Sequence, residues 1–253
     1  MIYKRMAANL RAQNWLAIGI ELGIVIVGVF IGTWVANWNE GRAESAETAH
    51  RLDQLRPELD RIASRADLVR QYYVTSRRYA ETAFAGWAKD PKVDDNDFVI
   101  AAYQASQIKA MSTTSQSWAD LFGSDQLRNI DDPAIRDPML RLMTYPSENI
   151  GLTRVQSKCR DDVRSVISDG IQQRIRAKCG DYFATPDALD FSLPNECPLE
   201  LDPEEATATA AELRRHPELV ANLRLHLALV ASLLNDVRIY DTAARRLREE
   251  LRR

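Results

Sequence analysis

Three observations predict an all-α chain: a single N-terminal transmembrane helix, then an antiparallel bundle of about four main helices. Between Trp15 and Trp38 lies an apolar run, Leu16 to Ala36, interrupted by one acid, Glu21. From Leu52 onward apolar residues recur at heptad spacing, and they do so again from Leu223 to Leu251. Acidic and basic residues interleave elsewhere, and glycine is scarce outside the apolar run. That patterning suits long helices with mixed-charge outer faces; strands would show β-branched alternation between turn residues. The formal net charge of -3 over 253 residues argues against a nucleic-acid partner, which needs a basic stripe.

The first element is the span, residues 15–38, preceded by a tail over 1–14. About 20 apolar residues cross a bilayer as a helix, so the lipid bilayer is the first expected partner. A cleaved signal peptide would need a shorter apolar core and small residues before the cut; here Trp34 stands three residues before the cut after Ala36. The run is apolar all round, unlike the one-sided stripe of a core helix. Lys4, Arg5 and Arg11 precede it without an acid, whereas Glu40, Glu44 and Glu47 follow it beside Arg42 and Arg51. This bias favours a cytoplasmic N-terminus and a periplasmic remainder, in a bacterial inner membrane. Trp15, Trp34 and Trp38 fit the interfacial aromatic belt.

At 100° per residue, Glu21, Gly28, Gly32, Val35 and Asn39 share one face, with Gly19 and Gly23 near the opposite one. Small residues four apart let membrane helices approach closely, and an intramembrane acid is a functional-site candidate. Glu21, Gly28, Gly32 and Asn39 are therefore the expected interaction face, toward a second copy or another membrane protein. A plainer reading stands beside it. Glu21 lies only about 5–9 Å inside the span and can reach the headgroups, and glycine is common in membrane helices.

The stretch from Ala17-Ile18-Gly19-Ile20-Glu21 to Asn37-Trp38-Asn39-Glu40 resembles an uncharacterised bacterial family of small N-terminally membrane-anchored proteins. Aligned on the closing Asn-Trp-Asn-Glu, the family's intramembrane Glu falls on Glu21 and its mid-span glycine on Gly28. Ile20 stands where the family places a glycine. A weaker likeness covers Trp118 to Leu127, with Ile130 and Asp132, where the family has a turn between helices. The resemblance implies an anchor and a helical domain, and no chemistry.

Residues 39–51 read as a stalk, since Gly41 is the only breaker between Trp38 and Leu52, and 52–253 as the bundle. The heptad Leu52, Leu59, Ala66, Tyr73, Ala80, Trp87 predicts a long helix, with Pro57 breaking or kinking it near Arg56. Asp90-Pro91 ends it. A second helix is expected from Asp95 or Asn96 through Ile108, and a short one carries Trp118, Leu121 and Phe122. Asp132-Pro133 and Asp137-Pro138 each read as an N-cap with proline at the first helical position. A helix over 147–178 aligns Cys159, Val163, Ile167, Ile171 and Ile175. Residues 179–202 read as a loop, Asp202-Pro203-Glu204-Glu205 as a helix start, and Pro217 as the approach to the last helix. That helix is not read as a second span, because Arg224, His226, Asn235 and Asp236 interrupt it.

For chemistry the sequence offers little. Three cysteines leave one unpaired in an oxidising compartment. On one helix Cys159 and Cys179 would be about 30 Å apart, beyond the roughly 7 Å limit for a disulfide; of the two pairings left, Cys179–Cys197, which would close the long loop, is favoured over Cys159–Cys197, and Cys159 reads as a buried hydrophobe. The three histidines, His50, His216 and His226, make no metal pair, and His226 reads as a core residue. No metal and no cofactor is expected, and catalytic residues are none: neither a nucleophile elbow nor a phosphate loop occurs. Asp94-Asp95, Asp131-Asp132 and Asp161-Asp162 read as caps and solvated faces. Tyr72, Tyr73, Tyr79, Trp87, Trp118 and Phe122 read as core more than as a pocket. The expected function is that of a non-enzymatic membrane-anchored interaction, scaffold or accessory subunit. The alternative is a periplasmic ligand-binding sensor module that signals through a partner.

Overall fold

The computed structural model describes residues 15–109, 130, 132–144, 157–183 and 191–252. Helix α1 is Trp15–Gln54, 40 residues without interruption. After one residue, Leu55, helix α2 runs over Arg56–Trp87. Pro57 sits at the start of α2, as its spacing predicts, because it has no N–H to donate back into the ladder. The Leu55 amide instead closes a tighter turn on the Leu52 carbonyl, at 3.2 Å. The apolar run, the segment expected as a stalk and the first bundle helix therefore follow one another with a single-residue interruption.

Helix α3 is Asp95–Ala105, with Asp94 accepting from the Asp97 amide at 2.7 Å. It stops three residues before Ile108, where the chain turns at Ser106 and Gln107. Helix α4 is Pro133–Thr144, capped by Asp132, which accepts from the Ala134 amide at 2.8 Å. The second expected cap, Asp137-Pro138, is corrected: Pro138 lies inside α4. Buried Met139 and Leu142 belong to the core cluster shared with the last helix, and this packing holds the helix through the proline.

The single helix expected over 147–178 is also corrected. Within the described residues it is two helices, α5 (Lys158–Val166) and α6 (Asp169–Cys179). Ile167 turns extended and Ser168 caps α6 by accepting from the Ile171 amide. The Gln172 side chain then donates to the carbonyls of Arg164 and Ile167, both at 2.8 Å, satisfying acceptors the break would orphan.

The expected loop over 179–202 carries a short antiparallel pair, β1 (Tyr182–Phe183) with β2 (Phe191–Ser192). This is a small departure from an otherwise helical chain. Helix α7 (Pro203–Arg215) starts where Asp202 accepts from the amides of Glu204 and Glu205. Helix α8 (Glu218–Glu250) closes the fold. The expected segment at 118–123 and the turn-like stretch 118–127 lie outside the described residues.

Helices α2 and α8 are the antiparallel spine. Arg248 meets Asp60 at 2.8 Å and Arg245 meets Asp67 at 3.2 Å, pairing the end of α8 with the beginning of α2. The core divides along this spine. Leu55, Leu59, Val69, Tyr72 and Tyr73 pack with Met139, Leu233, Tyr240 and Leu247 near the stalk. Farther out, Ala80, Ala83 and Phe98 pack with Val163, Ile171, Leu213 and Leu223. The predicted seam of α8 is buried from Leu223 to Leu247, His226 included.

Candidate functional site

Helix α1 is long and apolar enough to cross a membrane, and among the described residues none of its apolar window counts as buried. Helix α8 passes the same test of length and composition, but a third of its window is buried in the bundle. On α1 the side chains of Leu16, Ile20, Ile24, Val29, Phe30 and Ile31 all lie exposed. Thr33 donates its hydroxyl to the carbonyls of Val29 and Phe30, both at 3.0 Å, so its polarity is spent within the helix. Trp34 and Trp38 stack with centroids 5.8 Å apart, and the Arg42 guanidinium sits 5.7 Å over the Trp38 ring. Trp15 is exposed at the other end of the run. A cation above a stacked indole pair suits a headgroup boundary.

Glu21 is half-buried, and its Oε2 is closed off from solvent without a hydrogen-bond partner among the described residues. Among the described residues, a Cβ added at Gly28 or Gly32 would meet nothing within 4 Å, and the same holds for Gly19 and Gly23. Asn39, one turn beyond Val35, is exposed on the same helix.

Cys179 and Cys197 are joined by a disulfide with Cα atoms 5.2 Å apart, which ties the end of α6 to the approach to α7. Cys159 is free and buried, and burial pushes its thiol up to about 12. The acidic pairs act as caps and ion-pair partners: Asp95 meets Arg214 at 2.8 Å, and Asp162 accepts from Lys158 and Asn222. Among the described residues no three His, Cys, Asp or Glu side chains converge on a metal position.

A second constellation lies inside the bundle, where α2, the end of α3, α5 and α8 converge. Arg160 and Arg164, one turn apart on α5, both donate to the same oxygen, Gln107 Oε1, at 3.2 and 2.9 Å. Gln107 in turn donates to Gln104 Oε1 at 3.1 Å, and Gln104 to the Cys179 carbonyl. The Arg164 guanidinium lies 4.8 Å over the Tyr103 ring. Burial, then the charge of Arg160, lowers the Arg164 guanidinium from its usual range. The Tyr73 hydroxyl donates to the Lys109 carbonyl and accepts from its amide, both at 2.9 Å, while Lys109 Nζ pairs with Asp181 at 3.0 Å.

His226 Nδ1 faces Ser157 Oγ at 2.9 Å, and burial, then the Arg160 charge, holds the imidazole down to about 4. Among the described residues, the buried atoms Tyr72 Oη and Arg164 Nε have no hydrogen-bond partner, while the His226 ring is also held by the Gln107 backbone. The sequence reading of Tyr72 and Tyr73 as core residues, and of His226 as a seam residue, agrees with their burial. It does not anticipate their convergence on Arg160 and Arg164. Beside Tyr72 a cleft of about 410 Å³ opens between α2 and the 191–195 segment, edged by Thr75, Arg78 and Asn195.

Compared with protein-family models, curated proteins and solved structures, the chain matches none.

Proposed function

We propose that the protein is a non-enzymatic, single-pass membrane protein that acts as an interaction or accessory subunit. The observation that carries this reading is the Glu21–Gly28–Gly32 face of α1, where, among the described residues, nothing lies within 4 Å of a Cβ added at either glycine and one Glu21 carboxylate oxygen has no partner. A second copy or another membrane protein would approach over the glycines and supply a donor to Glu21. The bundle then sits on a continuous helical stalk outside the cytoplasm. Two independent features support that orientation: the cationic N-terminal flank and the Cys179–Cys197 disulfide, which suits an oxidising compartment.

Glu21→Gln and Gly28→Leu are expected to abolish co-purification with the partner in mild detergent while the bundle keeps its helical circular dichroism. Unchanged co-purification of both variants would overturn the reading. A second reading, a ligand-binding module signalling through that partner, is favoured by one observation only, the polar constellation around Arg164.

A further inference from the structure

Two guanidiniums one helical turn apart repel, and a buried charge is costly unless it is paired. Arg160 and Arg164 share one neutral acceptor, Gln107 Oε1, and neither meets a carboxylate among the described residues. The nearby acid, Asp181, is already paired with Lys109. Among the described residues, Tyr72 Oη and Arg164 Nε are donors with nothing to donate to. Most of the unsatisfied capacity here is of one kind, hydrogen-bond donation within a positive field.

We infer that the α2–α3–α5–α8 junction is a binding site for a small oxyanion, a carboxylate or phosphate group, held by Arg160 and Arg164 with Tyr72 as a neutral donor. Guanidiniums recognise such groups by paired N–H contacts. The phenol fits the role. Burial, then the Asp181 charge, raises the Tyr72 hydroxyl, so it stays a phenol and a donor at neutral pH. Gln104 and Gln107 brace the two arginines from behind and tie them to the disulfide-bonded end of α6. The inference supplies a ligand class for the second reading above. It does not depend on the membrane face, so loss of either leaves the other standing.

The test is thermal unfolding of the full chain in detergent micelles, in phosphate, succinate or chloride at matched ionic strength. At about a hundredfold excess over Kd, one of the two oxyanions is expected to raise Tm by roughly 5–10 °C over chloride, saturably. Which anion does so separates a phosphate from a carboxylate ligand. General salting effects act equally on wild type and variant. Arg164→Gln should therefore lose the saturable part, with its ligand-free Tm unchanged or higher because the repulsion is relieved. Arg164→Lys keeps the charge and should retain the effect at about tenfold weaker affinity. No saturable rise in wild type, or an equal rise in Arg164→Gln, would overturn the proposal. The arginines would then be structural, and Arg164→Gln would lower Tm in chloride as well.

Discussion

His226 shows how one side chain couples the bundle to pH. It is 1% exposed on the α8 seam, and burial with the nearby Arg160 charge holds it neutral down to about pH 4. Its unfolded value is near 6.5, so between 4 and 6.5 the unfolded chain binds the extra proton. Folding stability attributable to His226 is therefore complete above pH 6.5 and falls as pH drops toward 4, at up to about 1.4 kcal/mol per unit. Thermal unfolding of wild type and His226→Gln between pH 4 and 7 checks this: the wild-type Tm should fall more steeply with acidification. Parallel curves would show that the ring does not titrate as described. The sequence reading identifies His226 as a seam residue, but not the Ser157 contact, since Ser157 lies on a separate helix start 69 residues away.

At the scale of elements, chemistry local to a boundary is legible in the sequence. Asp94, Asp132 and Asp202 cap as their position before a helix requires, and Pro57 marks the α1–α2 interruption. Boundaries set by distant groups are not legible. The α5–α6 break depends on the Gln172 side chain reaching Arg164 and Ile167, and Pro138 survives inside α4 because Met139 and Leu142 pack against α8. Gly86 belongs to the second kind. In an α-helix Gly→Ala normally stabilises by about 1 kcal/mol, yet a Cβ at Gly86 would meet Phe98 Cβ at 2.7 Å, with the Phe98 ring closer still. Phe98 is fully buried and cannot retreat. Gly86→Ala is expected to destabilise by about 1–3 kcal/mol, measured as a lower midpoint of chemical unfolding. An unchanged or higher midpoint would show that α2 and α3 are less closely apposed.

Across the whole molecule, the long apolar helix, the helical bundle and the disulfide can all be anticipated from residue patterns. The constellation around Arg164 cannot, because Tyr72, Gln107, Arg164 and His226 come from four separate helices or turns. One signal was present: Arg160 and Arg164 are like charges one turn apart, an arrangement that costs energy unless something takes up the charge. Among the described residues two places hold unsatisfied polar groups, Glu21 on the apolar helix α1 and the basic cluster within the bundle. They are linked by α1 and α2 with one residue between them.

The proposed association surface on α1 is open to direct test by in-cell photo-crosslinking. A photoreactive residue at Gly32 should capture a second copy or a membrane partner. The same residue at Phe30, on the opposite side of α1, should capture lipid alone. Replacing Glu21 with Gln in the Gly32 variant should remove the protein adduct. Equal protein adducts from Gly32 and Phe30, or adducts indifferent to Glu21, would contradict the account.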